Sequence, residues 1–133
     1  MTIKTLLAPN KTSFWIAFLW TTWIVYLCLK AQSNTSFFAF PNQDKVAHFT
    51  SHFVFVLLWY RYLVYKNSAF LKNKIALAVS SIVFGIAIEF LQKYFTTTRH
   101  ADVLDVVANI AGALFGIFSS IKFHNVINTK LPK

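Results

Sequence analysis

The stretch Thr96–Gly116, "TTTRHADVLDVVANIAGALFG", begins as a polar loop and ends as a segment that lipid tails accept. Between the two it places Asp102, Asp105 and Asn109 where an apolar helix would carry Leu. The steps from Asp102 through Asp105, Asn109 and Gly112 to Gly116 are 3, 4, 3 and 4 residues. That spacing puts all five on one helical stripe, polar at its start and small at its end. Gly112-xxx-Gly116, with Ala108 one turn earlier, is a close-packing face for another helix. Asp102 has the position of an N-cap, whose side chain and charge suit the orphan N–H groups of the helix start.

The rest of the chain fits a membrane setting. It has 133 residues, 56% of them hydrophobic, and a mean hydropathy of +0.53. A soluble fold of this length buries only about two-thirds of its surface and cannot hide so much apolar area. Four apolar runs stand out, at about residues 13–29, 46–65, 75–95 and 103–121. Each approaches the roughly 20 residues a helix needs to cross the hydrocarbon core. The expected architecture is a single all-α domain over residues 1–133, a bundle of four transmembrane helices. The first run, with its bulky aromatic residues and no small-residue cleavage site, reads as a retained helix.

Thirteen Lys and Arg face four acids. The basic residues flank the apolar runs, as suits anionic head groups, and this excludes nucleic acid as the favoured partner. Nine of the basic residues fall on the side of the two termini and the second loop, four on the other. The positive-inside rule therefore puts both termini in the cytoplasm of a multi-pass inner (cytoplasmic) membrane protein. Cys28 is a lone cysteine in the first run and makes no internal disulfide.

All four acids, Asp44, Glu89, Asp102 and Asp105, belong to the opposite, outward end. Capping accounts for Asp102 and Asp44 but not for Glu89, at the C-terminal part of its own helix, nor for Asn109, more than a turn inside. Ionisable groups in spans face bundle interiors or watery cavities. Gly85, Glu89 and Gln92 form a stripe on the third run; Lys45, His48 and His52 form one on the second. Turning the three stripes together makes a polar pocket open outward. A plainer reading has Lys45 and Arg99 neutralise the acids as a structural latch.

These residues resemble the VanZ-like family of small bacterial membrane proteins. The matching pieces are "DKVAHF" (Asp44–Phe49), "IEFLQ" (Ile88–Gln92) and "RHADVLDVVANIAGALFG" (Arg99–Gly116). His52 has no counterpart in that pattern. The resemblance implies a multispanning membrane protein. It also implies a link to antibiotic resistance, because the family is named for a member tied to teicoplanin resistance. It brings no agreed enzymatic activity.

Three functions compete. In the first, the pocket binds a cell-envelope ligand, a lipid-linked cell-wall precursor or a lipoglycopeptide. Lys45, Arg99 and His48 would meet phosphate or carboxylate; Glu89, Asp105 and Asn109 would meet amine, amide or hydroxyl. In the second, His48 with Glu89 or Asp105 performs acid–base catalysis on a lipid-linked substrate; no serine elbow or catalytic cysteine appears at that face. His48, His52, Glu89 and Asp105 are metal-ligand types, but His-x-x-x-His alone is a weak signal, so neither metal nor cofactor is expected. In the third, Glu89 serves proton-linked transport, against which the other halves of the helices offer only Ser80, Ser81, Ser119 and Ser120. The glycine face leaves the oligomeric state open. The topology has a direct check: a C-terminal reporter active only outside the cell is expected to stay silent, and an active one overturns the orientation.

Overall fold

No proline falls within the four apolar runs, and each folds as a helix. The computed structural model describes residues 12–30, 40–65, 70–96 and 102–130. The helices are α1 (Thr12–Leu29), α2 (Gln43–Tyr65), α3 (Phe70–Phe95) and α4 (Val103–Lys130). Strands are absent among the described residues. The expected boundaries hold within a few residues except where a polar flank continues the helix. α3 starts at Phe70 instead of residue 75, and α4 runs to Lys130 instead of 121. Neither flank contains Gly or Pro to stop it.

The entry to α2 is a tight turn. Asn42 adopts φ of 60°, a left-handed conformation that Asn tolerates. The Gln43 N–H then donates to the Phe40 carbonyl at 3.3 Å and the Val46 N–H to that of Asn42 at 3.2 Å. At α4 the Leu104 N–H donates to Asp102 Oδ1 at 2.9 Å, so Asp102 is the expected N-cap.

Three segments are long and apolar enough to cross a membrane: Thr12–Leu29, Asn73–Phe95 and Val103–His124. α2 has the length, about 35 Å at 1.5 Å per residue, but carries Asp44, Lys45, His48, His52 and Arg61. It is less apolar than a helix alone in lipid, and the fold compensates. α2 contacts each of the other three helices, α4 most extensively. α1, α3 and α4 present large apolar side chains outward, including Trp15, Leu19, Val83, Phe90, Leu114 and Phe118. On α2, among the described side chains, only Val46 does so.

The core gathers Ile24, Phe55, Val56, Tyr60, Leu77 and Ala113. Phe55 stacks on Phe84 with ring centroids 5.3 Å apart. Polar ties cross between helices as well. Trp20 Nε1 donates to the Ser51 carbonyl at 3.2 Å, and Trp59 Nε1 to Thr21 Oγ1 at 3.1 Å.

The glycine stripe packs against α2. A Cβ on Gly112 would overlap the Phe49 carbonyl oxygen, and one on Gly116 would lie 2.9 Å from Val56 Cβ and 3.0 Å from the Phe53 oxygen. Backbone atoms cannot yield as a flexible side chain can. Replacing Gly112 by Ala is therefore expected to force α2 and α4 apart at a cost of about 1–3 kcal/mol. The check is thermal unfolding in detergent, with Ala111→Leu on the exposed neighbouring position as a silent control. An unchanged midpoint for Gly112→Ala would refute this close approach.

Candidate functional site

Seven of the nine polar residues singled out in the sequence meet at one end of the bundle. Asp44, Lys45 and His48 come from the first turns of α2, Glu89 from the last turns of α3. Asp102, Asp105 and Asn109 come from the start of α4. The site has a rim and a floor. On the rim, the side chains of Lys45, Asp102 and Asp44 are 29%, 42% and 47% exposed. On the floor, His48, Glu89, Asp105 and Asn109 are buried.

Lys45 clamps the rim. Its Nζ lies 3.0 Å from Asp102 Oδ2 and 3.4 Å from Asp105 Oδ1. The hydrogen bond to Asp102 holds the Lys45 ammonium above its ordinary value. The Leu104 N–H, and after it Lys45, holds the Asp102 carboxyl below the usual range. Asp102, depressed on folding, stabilises the fold above its unfolded pKa and loses that contribution as pH falls through its folded value. Lys45, raised on folding, contributes below its unfolded value and loses it as pH rises through its folded one.

Glu89 stands at the wrong end of α3 for its own helix dipole. Its partner is the start of the next helix: the Asp102 N–H donates to Glu89 Oε2 at 3.3 Å. The positive end of α4 thus accounts for one oxygen. The other, Oε1, is buried without a hydrogen-bond partner, 3.8 Å from His48 Nδ1.

His48 is the centre of the floor. Its Nδ1 lies 3.1 Å from Asn109 Oδ1. Its Nε2 faces two carboxylates, Asp105 Oδ2 at 3.8 Å and Asp44 Oδ1 at 3.9 Å. Oxygen atoms stand on both sides of Nδ1, from Asn109 and Glu89, so Nδ1 carries a proton and donates. Asn109 Nδ2 is buried without a partner, in space that Gly85 leaves open; a Cβ there would come within 2.9 Å of it.

Two sequence candidates lie elsewhere. Gln92 does not join the cluster: its Nε2 donates to the Cys28 carbonyl at 3.1 Å and ties α3 to the end of α1. His52 sits a turn deeper, its Nδ1 2.8 Å from the fully buried Ser81 Oγ. It is a helix tie, not a fourth ligand for a metal with His48. Arg99 lies outside the described residues. Ala108 is half-buried on α4. The pairing of His52 with Ser81 escaped sequence reasoning, although both stand out as polar residues in apolar runs. The signal was one buried hydroxyl for one buried ring.

The VanZ/LLP1 family profile matches residues 3–124, nearly the whole chain. An uncharacterised protein of the fission yeast Schizosaccharomyces pombe is 32% identical over 84 residues, 63% of this chain and 50% of that protein. The chain thus spans about half the length of the curated relative it matches. No solved structure matches the chain.

Removing the Ser81 hydroxyl strands a buried His52 nitrogen, which costs about 1–3 kcal/mol. Ser81→Ala is expected to lower the unfolding midpoint in detergent while leaving ligand binding at the His48 end intact. Lost binding with unchanged stability would instead assign His52 to the site.

Proposed function

The chain belongs to the VanZ/LLP1 family, and from that premise we propose that it is a membrane protein that binds a polar head group at the His48 end of its helix bundle. On this reading all four helices cross the inner (cytoplasmic) membrane, both termini face the cytoplasm and the cluster opens outward. The observation that carries the proposal is the pair of buried, unpartnered polar atoms, Glu89 Oε1 and Asn109 Nδ2. Buried polar groups without partners cost free energy unless something satisfies them. These two flank a histidine at one end of the helix bundle.

Charge selects the ligand class. Among the described residues the cluster holds Asp44, Glu89, Asp102 and Asp105 against Lys45 and His48. That balance suits a head group with an ammonium or hydroxyls better than a bare phosphate. A lipoglycopeptide such as teicoplanin and a lipid-linked wall precursor are ligands of this kind, polar groups on apolar tails. An amino-phospholipid offers the same chemistry, an ammonium on an apolar tail.

A second reading, catalysis on a bound lipid, is favoured by one feature: His48 Nε2 facing two carboxylates across gaps of 3.8 and 3.9 Å. That set has the types for proton transfer. Serine catalysis is disfavoured because Ser81, paired with His52, is fully buried a turn below.

The binding reading is tested with the purified full chain in nanodiscs containing phosphatidylethanolamine and phosphatidylglycerol. Native mass spectrometry is expected to show retained phosphatidylethanolamine in preference to phosphatidylglycerol. Glu89→Gln and Asn109→Leu are expected to reduce that preference at least tenfold. Retention identical in wild type and both variants, with the fold intact, would remove the proposal.

A further inference from the structure

The gap between His48 and its carboxylates has a shape that a proton does not fill. A hydrogen bond between nitrogen and oxygen spans about 2.7–3.2 Å, yet Asp105 Oδ2 and Asp44 Oδ1 stand 3.8 and 3.9 Å from Nε2. One ligand atom from each of Asp44, His48 and Asp105 lies within 4.8 Å of the other two. Tetrahedral bonds of about 2.0–2.1 Å to a zinc-like ion set donor atoms about 3.4 Å apart. The two separations from Nε2 exceed that by about half an ångström, and the third, between the two carboxylates, lies within 4.8 Å.

The surroundings follow the pattern of a metal-bound histidine. Such a ring donates its other N–H to an oxygen, which fixes the tautomer and aims the lone pair at the metal. Here Nδ1 donates to Asn109 Oδ1 at 3.1 Å. The Nε2 lone pair is then turned toward two carboxylates, an arrangement that a cation between them converts from repulsion to ligation. Lys45 takes the outer oxygen of Asp105, Oδ1, at 3.4 Å, and leaves Oδ2 for the ion. On the other side of the ring, the buried Glu89 Oε1, without a hydrogen-bond partner and 3.8 Å from His48 Nδ1, sets a carboxylate beside the outer N–H, as around a metal-bound histidine.

We infer that Asp44, His48 and Asp105 bind one divalent first-row transition-metal ion where the rim of the polar cluster meets its floor. One imidazole with carboxylates selects Zn²⁺, Mn²⁺ or Fe²⁺ over Mg²⁺ and Ca²⁺, which take oxygen alone. This departs from the sequence expectation of no metal, and from the His48–His52 pairing considered there, because His52 bonds Ser81 and Asp44 takes its place. The inference rests on the head-group reading and deepens it. Three protein donors leave a coordination position open, where a phosphate or hydroxyl oxygen of a head group would bind.

The test uses the full chain in nanodiscs, stripped with chelator and titrated with Co²⁺. Wild type is expected to take up one equivalent with the visible absorption bands of a low-coordinate centre, and Zn²⁺ to displace it. Asp44→Asn, at a half-exposed position, and His48→Gln are each expected to weaken uptake at least tenfold. His52→Gln is expected to retain it. No uptake by folded wild type, or equal uptake by Asp44→Asn and His48→Gln, overturns the inference. The two proposals separate cleanly. A lipid preference that survives chelation in metal-free protein removes the metal and leaves the head-group reading. A bound metal without lipid preference does the reverse.

Discussion

The close approach of α4 to α2 at Gly112 is the constraint on which the rest depends. With no side chain at Gly112, the α4 backbone comes against the Phe49 carbonyl, and Gly116 repeats the contact beside Phe53 and Val56. In lipid, helices gain little by hiding apolar surface from one another, so close packing of small residues supplies much of the association. The same contact fixes the rotation of α4. Once Gly112 and Gly116 face α2, the stripe spacing makes Asn109, Asp105 and Asp102 face it too. His48 meets Asn109, and Lys45 meets Asp102 and Asp105, because each pair lies one or two turns along from a glycine contact.

α2 is the beneficiary of that packing. A helix with two histidines, an arginine and an ion pair is expensive against hydrocarbon. Here its neighbours carry the lipid-facing apolar side chains, and its own polar groups turn inward or toward one end. The polar groups inside are mostly paired: His52 with Ser81, Trp59 with Thr21, Trp20 with the Ser51 carbonyl. Tyr60 Oη and Ser120 Oγ are buried without a hydrogen-bond partner as well as Glu89 Oε1 and Asn109 Nδ2, and of these four the last two belong to the His48 cluster.

Much of this was legible in the sequence, and for a physical reason. Spacings of 3 and 4 specify a helix face without any knowledge of the fold, so the Asp102–Gly116 stripe was read correctly. Glu89 and His48 were placed by the same rule. What failed was inference beyond the stripe. Gln92 shares a face with Glu89, yet one further turn carries it toward the end of α1, where the Cys28 carbonyl accepts from it. His52 shares a face with His48, but the step inward brings it opposite Ser81. Asp44, read both as a cap and as a member of the polar cluster, stands one turn before His48, and its Oδ1 lies 3.9 Å from Nε2 as i,i+4 spacing allows. The helix ends were misjudged where polar residues continue a helix that nothing stops, as in α4 beyond residue 121.

The division into an exposed rim and a buried floor bears on what the cluster is for. A purely structural latch needs only the Lys45 contacts, to Asp102 on the rim and to Asp105 on the floor. Beyond it, Asp44 on the rim turns a carboxylate toward the imidazole, and the floor adds the buried Glu89 carboxylate and an Asn109 amide whose Nδ2 has no partner. Burying these groups works against stability unless a ligand, ion or proton completes them. A fold that needed a latch alone would be more stable with apolar residues at Glu89 and Asn109. Their placement around His48 is what supports the proposal that the floor binds a ligand, with the rim holding α2 and α4 in register around it.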